Sequence, residues 1–295
     1  MSERDREPAP HRADGRPDEV GPTIPAEVAA GRDLLAPLRT GRLEVHGRLL
    51  GSTNHALLVT VEPADDGSAQ TAPAASLPRG PARDSGGAGH GPAREAAVLV
   101  AVYKPIRGER PLDDFPDGTL AYRETAAYVA SEAIGWGIVP PTVLRDGPYG
   151  PGMVQLWIDA DDRVDRVALV AECDERLRRI AVFDALVNNA DRKIGHLLPV
   201  PSGHIYGVDH GICFAVEPKL RTVLWGWRGQ RLRDEELAAV ERFRRALEGE
   251  AGEALRMLLS EAEVRATVRR AERLLETGRF PSPDPFRPAI PWPPY

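Results

Sequence analysis

Residues 183–214 read FDALVNNADRKIGHLLPVPSGHIYGVDHGICF, and the two aspartates that stand on either side of the histidine in DRKIGH decide what the chain is. Asp191 opens that polar loop directly after an apolar segment. Asp209 follows Ile205, Tyr206 and Val208 and precedes Gly211, the pattern of a short strand ending in a turn. Two carboxylates on separate loops suit the transfer of a charged group: one orients or deprotonates an attacking hydroxyl, and the other binds a metal. Between them, Arg192 and Lys193 either offset charge on the transferred group or line a solvated loop. His196 stands where a second metal-binding side chain is expected, although imidazole suits manganese, zinc or iron better than magnesium. The structural alternatives are a helix-capping Asp191, a turn Asp209 and a histidine satisfied by backbone.

Upstream of this stretch, AAVLVAVYKP (96–105) is an apolar run fit for a buried strand, closed by Pro105, with Lys104 at its end. TLAYRETAAYVASEAIGWG (119–137) has helical spacing with Glu124 near its start, and Gly135 and Gly137 end it. An ammonium on the α/β phosphates of ATP, fixed by a helix-borne carboxylate, is the arrangement phosphoryl transfer needs. VPPTVLRDGPYGPGMVQLWID (139–159) reads as two strands joined by a Gly/Pro turn, the second being Met153 to Ile158. Leu43 and Val45, then Leu57, Val59 and Val61, alternate as strands, with Gly47 and Gly51 at the turn between them. That turn, GRLLGSTN (47–54), offers Ser52 and backbone donors to phosphate but carries no P-loop pattern.

The second half is helical. LVAECDERLRRIAVFDALVNNA (169–190) fits one amphipathic helix whose embedded acid, Asp184, needs a partner. DEELAAVERFRRALEG (234–249) and EALRMLLSEAEVRATVRRAERLLETG (253–278) each read as a further helix. The expectation is therefore an α+β fold: a strand-rich N-lobe with one helix over residues 33–158, and a mainly helical C-lobe over 159–280.

Composition bounds the rest. The chain has 295 residues, 42% hydrophobic and 28% charged, enough for two lobes around a cleft. A net charge of −6 without a long basic run argues against nucleic acid as the main partner. Residues 1–32, rich in Pro and charge, and 63–94, rich in Gly, Ala, Ser and Pro, read as a disordered tail and a disordered insertion. Residues 281–295 read as an extended Pro-rich tail, solvated or available to a protein partner. Neither a signal peptide nor a membrane-spanning run is seen, and two isolated cysteines, Cys173 and Cys213, read as reduced thiols, so a cytoplasmic location is expected without integral membrane contact.

In VAVYKP, YRETAAYVASEAIGWGIVPPTV, FDALVNNADRKIGHLL and YGVDHGICF the chain resembles the phosphatidylinositol 3-/4-kinase-like superfamily, and within it a branch of small actinobacterial members. More distantly it is similar to HipA-type and secretory-pathway kinases. The resemblance implies a two-lobed protein-kinase-like fold that binds ATP with Mg2+ or Mn2+ and transfers phosphate to a hydroxyl of a protein, lipid or small-molecule acceptor. It implies that Lys104 binds the ATP phosphates with Glu124 as its partner, and that Gln155, Leu156, Trp157 and Ile158 form the hinge beside adenine. Asp191 is then the catalytic aspartate, and Asp209 the metal-binding one. The family usually has asparagine where this chain has His196. A catalytically weak pseudokinase serving as a nucleotide-binding or scaffolding module, and an AMP transferase on the same fold, are the alternatives.

Overall fold

In the computed structural model, residues 33–49, 54–62 and 98–295 are described. The expected tail 1–32, the expected insertion 63–94, Gly51 and Ser52 lie outside the described residues.

The strand-rich part starts with a short helix, α1 (Leu35–Thr40), and continues through β1 (Arg42–Arg48), β2 (Leu57–Glu62) and β3 (Leu99–Pro105). Helix α2 (Leu120–Ile134) follows, then the hairpin of β4 (Thr142–Gly147) and β5 (Gly150–Leu156). The five strands form one antiparallel sheet in the order β1-β2-β3-β5-β4. Because strand side chains alternate, Val59, Val61, Ala101, Tyr103, Val154 and Leu156 bury one face against Leu38 of α1. Lys104 falls on the other face, towards α2.

Helix α2 is held at both ends. The Glu109 carboxylate accepts the N–H groups of Leu120 (3.1 Å) and Ala121 (2.8 Å), two of the donors a helix start leaves unpaired. Gly135 ends the helix in the left-handed region at φ 78°, where a Cβ would be strained, and Ser131 Oγ accepts the N–H of Val139. Arg123 is buried on this helix, and it donates to the Cys213 carbonyl (2.8 Å) and to Glu263 Oε1 (2.6 Å).

The helical part comprises α3 (Arg166–Ala171), α4 (Arg178–Val187), the small hairpin β6 (Leu197–Pro199) and β7 (Ile205–Gly207), and the helices α5 (Asp234–Ala246), α6 (Glu250–Leu258) and α7 (Glu261–Thr277). Its core gathers Phe183, Leu186, Phe214, Val240, Phe243 and Leu255, and the α2 residues Ala127, Ala130 and Ile134 join it. Burying each of the larger side chains stabilises by ~1.5–3 kcal/mol relative to exposure. Helix α2 is thus fixed by α5 and α6 as well as by the sheet, so Glu124 is carried on a rigid support.

Several elements differ from the sequence reading. Gly47 lies within β1, at a register irregularity between Val45 and Gly47, not in a turn. The single helix expected over 169–190 is two: Cys173 takes φ 54°, Asp174 caps a short 3-10 turn, and α4 begins at Arg178. Residues 253–278 also divide, because Ser260 and Glu263 form a capping box that starts α7 afresh. Strand β5 runs Gly150–Leu156, so Trp157 and Ile158 lie past its end, with the Trp157 N–H still donating to the Val100 carbonyl (2.9 Å). The Pro-rich segment is irregular but docked rather than free. The Ala289 carbonyl accepts the Thr222 N–H (3.0 Å) and Trp225 Nε1–H (2.8 Å), and the Pro294 carbonyl accepts the Ile194 N–H (2.9 Å). Among the described residues no helix is long and apolar enough to cross a membrane.

Candidate active site

Lys104, Glu124 and Asp209 converge between the sheet, α2 and the segment after β7. Lys104 Nζ lies 2.6 Å from Glu124 Oε1 and 2.8 Å from Asp209 Oδ1. The other Glu124 oxygen accepts the His210 N–H at 2.8 Å, so this carboxylate ties the lysine and the backbone beside Asp209 to α2 at once. Asp209 takes φ 61°, left-handed backbone that aspartate tolerates better than most residues. Its side chain remains 46% exposed, whereas that of Glu124 is 2% exposed. Asp209 is therefore the member of the set that faces solvent.

The electrostatics follow from this placement. Burial alone would drive the proton off Lys104, but the carboxylates of Asp209 and Glu124 outweigh it and hold its pKa above the ordinary lysine value. Lys104 in turn holds Asp209 well below the usual carboxylate range. Burial pushes Glu124 upward against the pull of Lys104. His196 Nε2 stands 3.2 Å from Asp209 Oδ2, and burial lowers its pKa to about 4, so the ring is neutral near pH 7. A neutral imidazole is the form that ligates metals.

Asp191 lies on the loop after α4. Its N–H donates to Asn189 Oδ1 (2.9 Å), and its carboxylate meets Lys193 Nζ at 3.2 Å. Burial raises its pKa above the ordinary aspartate value, and Lys193 opposes the rise. Arg192 points the other way, and this corrects the reading of DRK as two equivalent cations. Its guanidinium is fully buried, paired with Asp184 (2.9 Å) and donating to the Val208 carbonyl (2.9 Å), with His210 Nε2 at 2.6 Å. It therefore reaches neither a transferred group nor solvent, and it is the partner that Asp184 needed.

Of the remaining expected residues, Gln155 is buried, donating to Thr142 Oγ1 (2.8 Å), and Leu156 at the end of β5 and Ile158 just past it are buried in the core beside the sheet. Trp157 donates through Nε1 to Asp159. Gly47 sits in β1 at the same end of the sheet as Lys104, two strands away, because it pairs with Leu58, which pairs with Val102 of β3. Asn188, Asn189 and His210 escaped the sequence reading. Asn188 donates to the carbonyls of Ala215 (2.9 Å) and Glu217 (2.7 Å), and Asn189 bridges Asp184 Oδ1 (3.0 Å) to the Asp191 backbone. Paired asparagines closing an apolar helix were the available signal, since αL backbone and buried carbonyls both call for such a side chain.

A crystal structure of the Helicobacter pylori proinflammatory kinase CtkA superimposes with a TM-score of 0.40 and 12% identity, covering 86% of this chain and 99% of that one. Phosphatidylinositol 4-kinase gamma 4 of Oryza sativa subsp. japonica is 27% identical over 150 residues, which are 39% of this chain and 26% of that protein. The chain thus spans about a quarter of that kinase's length. No protein-family model matches. Protein Rv2133c of Mycobacterium tuberculosis is 48% identical over 230 residues, 66% of this chain and 82% of that protein, and the chain belongs to the family of Rv2133c.

Proposed function

We propose that the chain is a kinase-like phosphotransferase that uses ATP and a divalent cation to phosphorylate a hydroxyl group. The observation that carries this reading is Lys104, clamped between buried Glu124 and solvent-facing Asp209 at 2.6 and 2.8 Å. A cation held on one side and open on the other is placed to receive phosphate oxygens. The similarity to part of a phosphatidylinositol 4-kinase supports the same reaction class.

In this reading Lys104 binds the ATP phosphates, Glu124 orients it, and the end of β5 with Trp157 and Ile158 borders the adenine. The acceptor oxygen attacks the γ-phosphorus, the bond from that phosphorus to the β,γ-bridging oxygen breaks, and ADP leaves with the electron pair. The acceptor proton passes to the Asp191 carboxylate, whose raised pKa makes it a better base than an ordinary aspartate. Lys193, beside it, counters the negative charge. The donor set of one carboxylate, Asp209, and one neutral imidazole, His196, fits Mn2+ better than Mg2+. Bound there, the ion would neutralise phosphate charge.

Incubating the full chain with Mn2+ and either α- or γ-labelled ATP tests the reaction. Self-labelling or release of label is expected from the γ position and is expected to fall in Asp191→Asn. Transfer of the α label would make the chemistry nucleotidylation, and equal γ transfer by Asp191→Asn would remove that residue from the reaction.

A further inference from the structure

Beside the Asp191 loop, α7, residues 280–288 and residues 216–221 enclose an open groove of about 1140 Å³. Seven cationic side chains line it against two carboxylates, in a chain whose net charge is −6. Lys219 pairs with Asp114 and Arg287 approaches Asp284, so both carboxylates are spent on these two cations. The remaining five are arginines. Arg269 and Arg273 stand one helical turn apart on α7, and with Arg221 they make no ion pair among the described residues. Arg270 between them is committed to the carbonyls of Leu186 (2.8 Å) and Ala215 (3.2 Å), which anchors the helix under the groove. Burial pulls its pKa down to about 10, and the like charge of Arg269 acts in the same direction, so it remains a cation near neutral pH.

The groove joins the candidate site through Arg221. The Arg221 N–H donates to the Asn189 carbonyl (2.9 Å), its own carbonyl accepts the Arg192 N–H (3.0 Å), and its charge reaches Asp191. The walls are not uniformly polar: Val216, Leu220, Trp225, Leu274 and Phe280 interleave with the arginines. A groove above the ~300–1,000 Å³ of small-molecule sites, with guanidinium groups spaced along a helix and apolar steps between them, matches an extended chain better than one compact anion.

We propose that this groove binds an acidic segment of a polypeptide, its carboxylates on Arg221, Arg269 and Arg273 and its apolar side chains between them. That the segment also supplies the acceptor hydroxyl rests on the phosphotransferase reading; the binding does not.

Fluorescence anisotropy without nucleotide tests it, using the full chain and a labelled peptide that repeats glutamate, leucine and serine. Binding is expected to weaken with salt and to drop by about tenfold or more in Arg269→Glu/Arg273→Glu, because reversed charges meet like charges. Arg163→Glu/Arg245→Glu changes net charge equally at two residues that lie outside α7 and outside the groove lining, and its binding should match wild type. The proposal is overturned if wild type does not bind the peptide, if both double variants weaken alike, or if a peptide with lysine in place of glutamate binds as well. Arginine-dependent flotation with phosphatidylserine-containing vesicles, without peptide binding, would overturn it in favour of a lipid surface. Because no ATP is present, loss of phosphate transfer leaves this result untouched, and loss of binding leaves the labelling experiment untouched.

Discussion

Two cation–carboxylate clusters meet around Asp209 and His210, and they differ in what surrounds the cation. Arg192 is enclosed: Asp184 takes its charge, Val208 accepts a hydrogen bond, His210 abuts it, and no part of it is exposed. Lys104 is enclosed on one side only, by Glu124, while its second partner Asp209 stays nearly half exposed. A saturated guanidinium fixes geometry, because every donor already has an acceptor. An ammonium whose exposed partner can turn to a metal has donors to offer a ligand. The same short segment, Val208 to His210, is gripped by both, so the closed cluster holds the open one in place.

The comparison breaks most readily at Asp184. Asp184→Ala leaves a fully buried guanidinium without its counter-ion, and urea denaturation should show a loss of about 3–5 kcal/mol. Asp184→Leu combined with Arg192→Met should lose less than Asp184→Ala, since no orphaned charge remains. Asp209→Asn should cost on the order of 1 kcal/mol at most, as expected of a half-exposed ion pair. Equal destabilisation by Asp184→Ala and Asp209→Asn would erase the distinction between the clusters.

Activity should invert that ranking. Asp209→Asn is expected to lower γ-phosphate transfer by roughly 100-fold or more while the fold persists, the size of loss seen when one charge-stabilising group is removed. Single-turnover transfer beside a denaturation curve on the same sample reads both quantities. A folded Asp209→Asn protein with wild-type transfer would place the chemistry elsewhere.

Much of this arrangement was visible in residue order. A lysine closing an apolar strand, a glutamate early in a helix and an aspartate before glycine each had a local pattern, and the sheet and α2 follow from alternation and helical spacing. The pattern could not say which of Arg192 and Lys193 turns inward, because that depends on Asp184 eight residues earlier and on how α4 ends at Asn188. Breaks at Cys173 and Ser260 were hidden by good helix formers on both sides, where one left-handed residue and one capping serine outweigh propensity. The arginine groove was illegible for another reason. Its charges come from residues 219 to 287 and meet only when α7 lies beside the segment after Phe214.

His196 sharpens the comparison at the metal. With its ring neutral near pH 7 and 3.2 Å from Asp209, it would offer the proposed metal site a nitrogen where an amide oxygen would suit magnesium better. His196→Asn should raise Mg2+-supported transfer relative to Mn2+-supported transfer by several-fold, measured as the ratio at matched free metal. An unchanged ratio would remove His196 from the metal site. The closed cluster gives no such dependence, so Arg192→Lys, if it folds, should leave the ratio where it was.

The smallest effect belongs to Lys193, the cation of the DRK pair that faces Asp191 at 3.2 Å. In the proposed reaction Asp191 must be ionised to accept the acceptor proton, so transfer is expected to fall as pH drops through its pKa. Burial raises that pKa, and Lys193 restrains the rise by favouring the charged carboxylate. Removing the ammonium in Lys193→Met takes away the restraint, and the acid limb of the pH–rate profile should move to higher pH with little change on the alkaline side. Because Lys193 and Asp191 both keep part of their side chains exposed whereas Arg192 has none exposed, stability should respond less than to any substitution at Arg192. A shift of the acid limb to lower pH, or none, would mean that the titrating base is not the carboxylate Lys193 touches. The division between an inward scaffold cation and an outward electrostatic one would then have to be drawn at other residues.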